Sequence, residues 1–168
     1  YMFLHRDSKD KRGIDVALLY KPTKFRVLYW NTLPVKFDSP HRTSRDILYV
    51  KGILLNKDTV HVFVNHWPSR VGGESRSEPY RKTAAVRLRT QIDSIYRTSV
   101  DPYIVIMGDL NDNPNNESVQ GTLGASADST EFLVNLSYPV YQKQKGTILH
   151  KDKIGWNWYL FDQMIRSE

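Results

Sequence analysis

The sequence predicts a mixed α/β domain with many antiparallel hairpins, and three observations lead there. Short runs rich in β-branched, aromatic and leucine residues recur along the chain, separated by turn signals such as Lys21-Pro22 and Asn56-Lys57-Asp58. One longer stretch, Pro79 to Arg97, carries Ala84, Ala85, Leu88, Ile92 and Ile95 at helical spacing with arginine and lysine on the opposite face. The length, 168 residues, suits one compact domain with a sizeable core.

In chain order, Ile14 to Tyr20, Phe25 to Tyr29, Ile47 to Leu55 and Val60 to Asn65 read as strands. The Gly72-Gly73 loop then leads to the helix over Pro79 to Arg97. Asp101-Pro102 breaks that helix, and the chain resumes as a strand over Tyr103 to Met107. Asn113 to Tyr138 is polar and reads mostly as loop, with a short helix around Glu131 to Leu136. Leu160 to Ile165 reads as a last short strand, and no internal repeat or low-complexity run is present.

Composition narrows the function classes. A formal net charge of +6, from Lys+Arg 24 against Asp+Glu 18, favours a polyanionic partner such as nucleic acid or a small phosphate ester. There is no apolar run of about 18 residues, so no helix spans a membrane, and no signal-peptide pattern opens the chain. With no cysteine, disulfides, thiol catalysis and cysteine metal sites are excluded, while the cellular compartment stays open.

The chemistry gathers where apolar strands end. Ile104 to Met107 runs directly into Gly108-Asp109-Leu110-Asn111-Asp112. Gly108 allows a tight turn, Asp109 can accept a proton or bind a hard cation, and Asn111 can offer both a donor and an acceptor to a phosphate or a water. An Asx-rich turn closed by Asn113-Pro114-Asn115-Asn116 accounts for the same residues. Val60 to Val64 similarly delivers Asn65 and His66, with Pro68 stiffening the exit towards Ser69 and Arg70. An imidazole there can give a proton to a departing oxygen and a guanidinium can fork onto phosphate, although a strand-end histidine is more often structural. Because one helix joins these two strands, they are expected side by side with both polar ends at one edge. Asp162 follows the aromatic run Trp156 to Phe161 and can orient a histidine or simply satisfy backbone donors. Asp15 and Arg45 stand at the heads of two further strands.

In this order the motifs resemble the endonuclease/exonuclease/phosphatase superfamily, which includes pancreatic-type deoxyribonucleases, abasic-site endonucleases, inositol polyphosphate phosphatases and sphingomyelinases. Asn65-His66-Trp67-Pro68-Ser69-Arg70 is similar to the strand bearing the family's first catalytic histidine. Gly108-Asp109-Leu110-Asn111 resembles its Gly-Asp-Phe-Asn segment, and Phe161-Asp162-Gln163 its late Asp-centred strand. The resemblance implies a deoxyribonuclease-like four-layer fold, a two-sheet β-sandwich flanked by helices. It also implies that His66 contacts the scissile phosphate, Asp109 orients or deprotonates the attacking water, and Asn111 holds a phosphate oxygen. Arg45, Asn65 and Arg70 would bind phosphate, Asp15 would steer His66, and Asp162 would hold the family's second histidine. One Mg²⁺ or Mn²⁺, with Asp109 among its ligands, would stabilise charge on phosphate oxygen.

The departures set further expectations. The family's Gln-Glu segment, whose glutamate is its main metal ligand, and its closing Ser-Asp-His segment are not found in these residues. The 168 residues therefore read as a single partial domain, incomplete at both ends, with weak or no metal binding, no turnover of its own, exposed strand edges and a tendency to self-associate. The longer protein would be a phosphoesterase. A non-catalytic module that holds nucleic acid or a phosphorylated ligand in the same groove is the alternative.

Overall fold

A computed structural model of the chain describes residues 1–39, 42–128, 132–151 and 155–168. The first strands are β1 (Met2–His5), β2 (Ala17–Tyr20), β3 (Phe25–Leu33), β4 (Ile47–Leu54) and β5 (Thr59–His66). Helix α1 (Glu74–Tyr96) and β6 (Tyr103–Asp109) follow, then a π-helical turn over Ser118–Leu123. The chain continues through β7 (Ala125–Ser126), β8 (Leu133–Asn135), α2 (Tyr138–Gln142), β9 (Ile148–Lys151), β10 (Trp156–Tyr159) and β11 (Asp162–Ser167).

Seven strands form the main sheet in the order β3-β4-β5-β6-β11-β8-β7, while β1-β2 and β9-β10 form separate hairpins. The β5 and β6 strands are parallel, joined by α1 as a β-α-β crossover, and β11 runs antiparallel beside β6. On one face of the sheet, Ala84, Ala85, Leu88, Ile92 and Ile95 of α1 pack with Ile47, Phe63, Ile104, Ile106 and Ile165. On the other, Leu48, Val50, Val60 and Val62 pack with Leu4, Leu18 and Tyr20 of the β1-β2 hairpin. Burial on both faces explains why β4 and β5 are near-continuous apolar runs rather than alternating ones. The two-sheet layering expected from the sequence is therefore present, with α1 outside the large sheet. The hairpin does not reach β11, where Asp162, Met164 and Arg166 alternate with buried Gln163, Ile165 and Ser167, and Met164 remains 48% exposed.

Three local expectations are corrected. The helix begins at Glu74, five residues before Pro79. A proline this close to the start forfeits one hydrogen bond, and Ser77 and Arg81 reinforce the first turn by donating to the carbonyls of Gly73 and Glu74. The helix expected around Glu131 to Leu136 is instead strand β8 over its described part, because Leu133–Asn135 pairs with β11; Glu131 lies outside the described residues. The stretch expected to be mostly loop contains a buried π-helical turn, in which Val119 and Leu123 join the core under α1.

Candidate functional site

The β5-β6 register places His66 opposite Asp109, and the β6-β11 register places Asp162 opposite Asp109. All three side chains therefore emerge at one rim of the sheet. By the alternation of strands, they lie on the face away from α1. Gly108 makes the approach of β5 and β6 possible: its φ is +127°, and a Cβ there would strike the backbone carbonyl of Asn65.

His66 Nε2 and Asp109 Oδ2 are 3.6 Å apart, with side chains 27% and 28% exposed. Burial depresses the His66 imidazole below its ordinary value, and the Arg45 charge adds to that, outweighing the attraction of Asp109. Burial also raises the Asp109 carboxyl, with the nearby Asp162 charge acting in the same direction. Desolvation thus wins over mutual attraction, and both groups are pushed towards neutrality. Asp109 Oδ1 accepts from the backbone amide of Asn111 at 2.8 Å. Asn111 has φ +52° and donates through Nδ2 to the Trp67 carbonyl at 2.9 Å, fixing this turn to the exit of β5.

The residues expected to bind phosphate are turned into the protein. Each guanidinium nitrogen of Arg45 already donates: to the His66 carbonyl at 3.0 Å, to the Trp67 carbonyl at 2.5 Å and to Asp10 at 3.0 Å. Arg45 therefore holds the end of β5 in place rather than standing free as a clamp. Buried Asn65 accepts from Trp67 Nε1 at 3.0 Å and donates to the Phe63 and Met107 carbonyls. Arg70 donates to the Asn111 carbonyl, Asp112 and Asn116, each at 2.9 Å, and pairs with Glu74 at 2.7 Å while lying over the Phe161 ring. The expected pairing of Asp15 with His66 is also replaced. Asp15 accepts from the Ser8 amide at 2.7 Å and lies 3.6 Å from His5 Nε2.

Behind the rim lies a charged cluster that the sequence reading missed. Asp112, 1% exposed, accepts from Arg70 at 2.9 Å and from Ser118 Oγ at 2.6 Å, and lies 2.7 Å from Nε of Arg81, a residue wholly buried on the helix. It anchors the segment after β6 to both α1 and the π-helical turn. A signal was available, since Arg81 precedes Ala84, Ala85 and Leu88 at helical spacing and so sits on the apolar stripe, where a cation requires a buried partner.

Hard oxygen donors suit Mg²⁺ or Mn²⁺, and Asp109, partly exposed and beside Asp162, offers them at the rim. Among the described residues, the group of three metal-ligating side chains with ligand atoms all within 4.8 Å of one another is His5, Asp7 and Asp15, an imidazole nitrogen with two carboxylates. Asp109 is not part of it.

A family model described as Endonuclease/Exonuclease/phosphatase family matches residues 1–168. No curated protein shows a significant sequence match. Among solved structures, the human Nocturnin catalytic domain with bound sulfate anion superposes with a TM-score of 0.71 at 13% identity, covering 99% of this chain and 60% of that one. Truncated Caenorhabditis elegans TDP2 gives 0.66 at 15% identity, covering 99% and 62%. A Bacteroides thetaiotaomicron mannosyl-6-phosphatase gives 0.63 at 15%, covering 98% and 62%. This chain thus spans less than two thirds of the length of these structures, and at such identities the likeness is one of fold.

Proposed function

Because the chain belongs to the endonuclease/exonuclease/phosphatase family, we propose that it forms part of a phosphoesterase that hydrolyses a phosphodiester or phosphomonoester by in-line attack of water. The observation that carries this reading is the registered pair His66 and Asp109, 3.6 Å apart and partly exposed at a rim built from two parallel strands. Asp109, whose affinity for a proton burial has raised, takes the proton from the attacking water as its oxygen bonds to phosphorus. His66 donates a hydrogen bond to a phosphate oxygen while the bond to the leaving oxygen breaks. Asn111, whose Nδ2 donates to the Trp67 carbonyl, holds the turn after Asp109 against the exit of β5 and so keeps the two groups in register. Asp162 adds negative charge next to Asp109 and keeps its carboxyl basic. A Mg²⁺ or Mn²⁺ ion held in part by Asp109 would supply positive charge against the phosphate oxygens. The bound sulfate in the similar Nocturnin domain and the phosphatase among the similar structures support a tetrahedral oxyanion as the group recognised.

The test is hydrolysis by the longer protein containing this chain, in Mg²⁺, of plasmid DNA, inositol phosphates and a generic phosphodiester. At least one is cleaved, and Asp109→Asn or His66→Ala lowers that rate. The 168 residues alone cleave none. Binding of DNA or phosphate by the longer protein with no hydrolysis would favour the non-catalytic module, a reading in keeping with the inward engagement of Arg45 and Arg70.

A further inference from the structure

A second polar cleft adjoins the rim, and its charge is unbalanced. A cavity of about 470 Å³ is bounded by Asp10, Lys11 and Arg12, by the segment from Arg42 to Arg45, and by Pro68 and Ser69 just beyond His66. Four cations, Lys11, Arg12, Arg42 and Arg45, face one carboxylate, Asp10. Two of the four are already committed, because Arg12 and Arg45 both bond to Asp10. Lys11 and Arg42 have no carboxylate partner among the described residues, and Arg42 is steadied by the Tyr80 ring, 3.6 Å from its guanidinium carbon. In the same wall, Ser44 is nine-tenths buried and its hydroxyl has no hydrogen-bond partner. A buried donor is ordinarily satisfied, so one left without a protein partner in a cationic wall fits an oxyanion as its acceptor. The volume lies in the range of small-ligand sites, and Arg45 and the segment after His66 belong to both the cavity and the rim.

We propose that this cavity is a subsite for a second oxyanion, the further phosphate or equivalent group of a small substrate whose scissile phosphate lies at His66 and Asp109. Lys11 and Arg42 neutralise that group, and the Ser44 hydroxyl donates to one of its oxygens. The inference deepens the phosphoester reading and rests on it for the word substrate, but the anion site itself is measurable without turnover.

The experiment titrates inorganic phosphate into a His66→Ala variant by calorimetry, so that binding at the rim is suppressed. Arg42→Ala and Lys11→Ala are then added singly. Both positions lie on the cavity wall away from the core, and circular dichroism melts of the added variants should match that of the parent. Phosphate binds the His66→Ala protein, and each added substitution weakens it about tenfold, the change expected for one lost charge-assisted contact. Ser44→Ala weakens it too. Phosphate affinity unmoved by Arg42→Ala and Lys11→Ala, or abolished by His66→Ala alone, would overturn the subsite. A parallel titration with a short DNA duplex assigns the source: if duplex binding alone responds to these substitutions, the small-substrate proposal is wrong. Failure to hydrolyse any phosphoester would leave these binding results intact and would count only against the catalytic reading.

Discussion

Asp112→Asn tests the claim that a buried charge cluster holds the turn after Asp109 in place. The substitution preserves shape but removes the charge that Arg70 meets at 2.9 Å and Arg81 at 2.7 Å. Breaking one partner out of a buried ion pair costs about 3–5 kcal/mol, mostly because the opposite charge is left uncompensated. Here the lower end applies. Arg70 keeps Glu74 at 2.7 Å, and Arg81 keeps the Ser77 hydroxyl at 2.8 Å and the Glu74 carbonyl at 3.2 Å. A loss of about 3 kcal/mol is expected, against a total that is typically only about 5–15 kcal/mol for a domain. With a urea slope of about 2 kcal/mol/M, the unfolding midpoint falls by about 1.5 M. Equilibrium urea unfolding followed by tryptophan fluorescence reads this directly, and an unchanged slope would show that the compactness of the two states is preserved. A midpoint shift under about 0.5 M, corresponding to less than about 1 kcal/mol at that slope, would refute the claim that the cluster braces the turn.

Three other expectations follow from single sites. His61 is buried with Nδ1 2.7 Å from the Tyr49 hydroxyl, and burial lowers its pKa from 6.5 to about 4. Its folded pKa lies below its unfolded one, so stability is complete above pH 6.5 and falls by at most about 3 kcal/mol as the pH drops towards 4; urea midpoints at pH 7.5 and 5.0 measure the loss, which His61→Phe should reduce. Gly108→Ala forces a Cβ into the Asn65 carbonyl at positive φ and should destabilise by more than about 2 kcal/mol, separating His66 from Asp109. A thermal melt within a degree of the parent would contradict it. In the longer protein, Asp109→Asn and His66→Ala should each slow phosphoester hydrolysis by about 10²–10⁴, and a kcat within threefold of the parent would remove those residues from the chemistry.

The sequence alone determined what periodicity and strand ends can encode. The α1 stripe, the apolar runs of β4 to β6 and the polar residues that terminate β5 and β6 are local patterns, each legible within a window of about twenty residues. That one helix joins those two strands was enough to anticipate their parallel pairing, and so the meeting of His66 with Asp109. The inward fate of Arg45, Asn65 and Arg70 was not legible. Whether a guanidinium faces solvent or a carbonyl depends on which backbone groups are left unpaired by a neighbouring strand exit. Those groups belong to residues up to tens of positions away: Arg45 answers to His66 and Trp67, and Arg70 to Asn111 and Asp112. The switch of Leu133–Asn135 from expected helix to strand has the same origin, since pairing with β11 overrides a weak local preference. Burial likewise decided the protonation tendencies of His66 and Asp109, because desolvation is a property of the folded surroundings and has no counterpart in the residue types themselves.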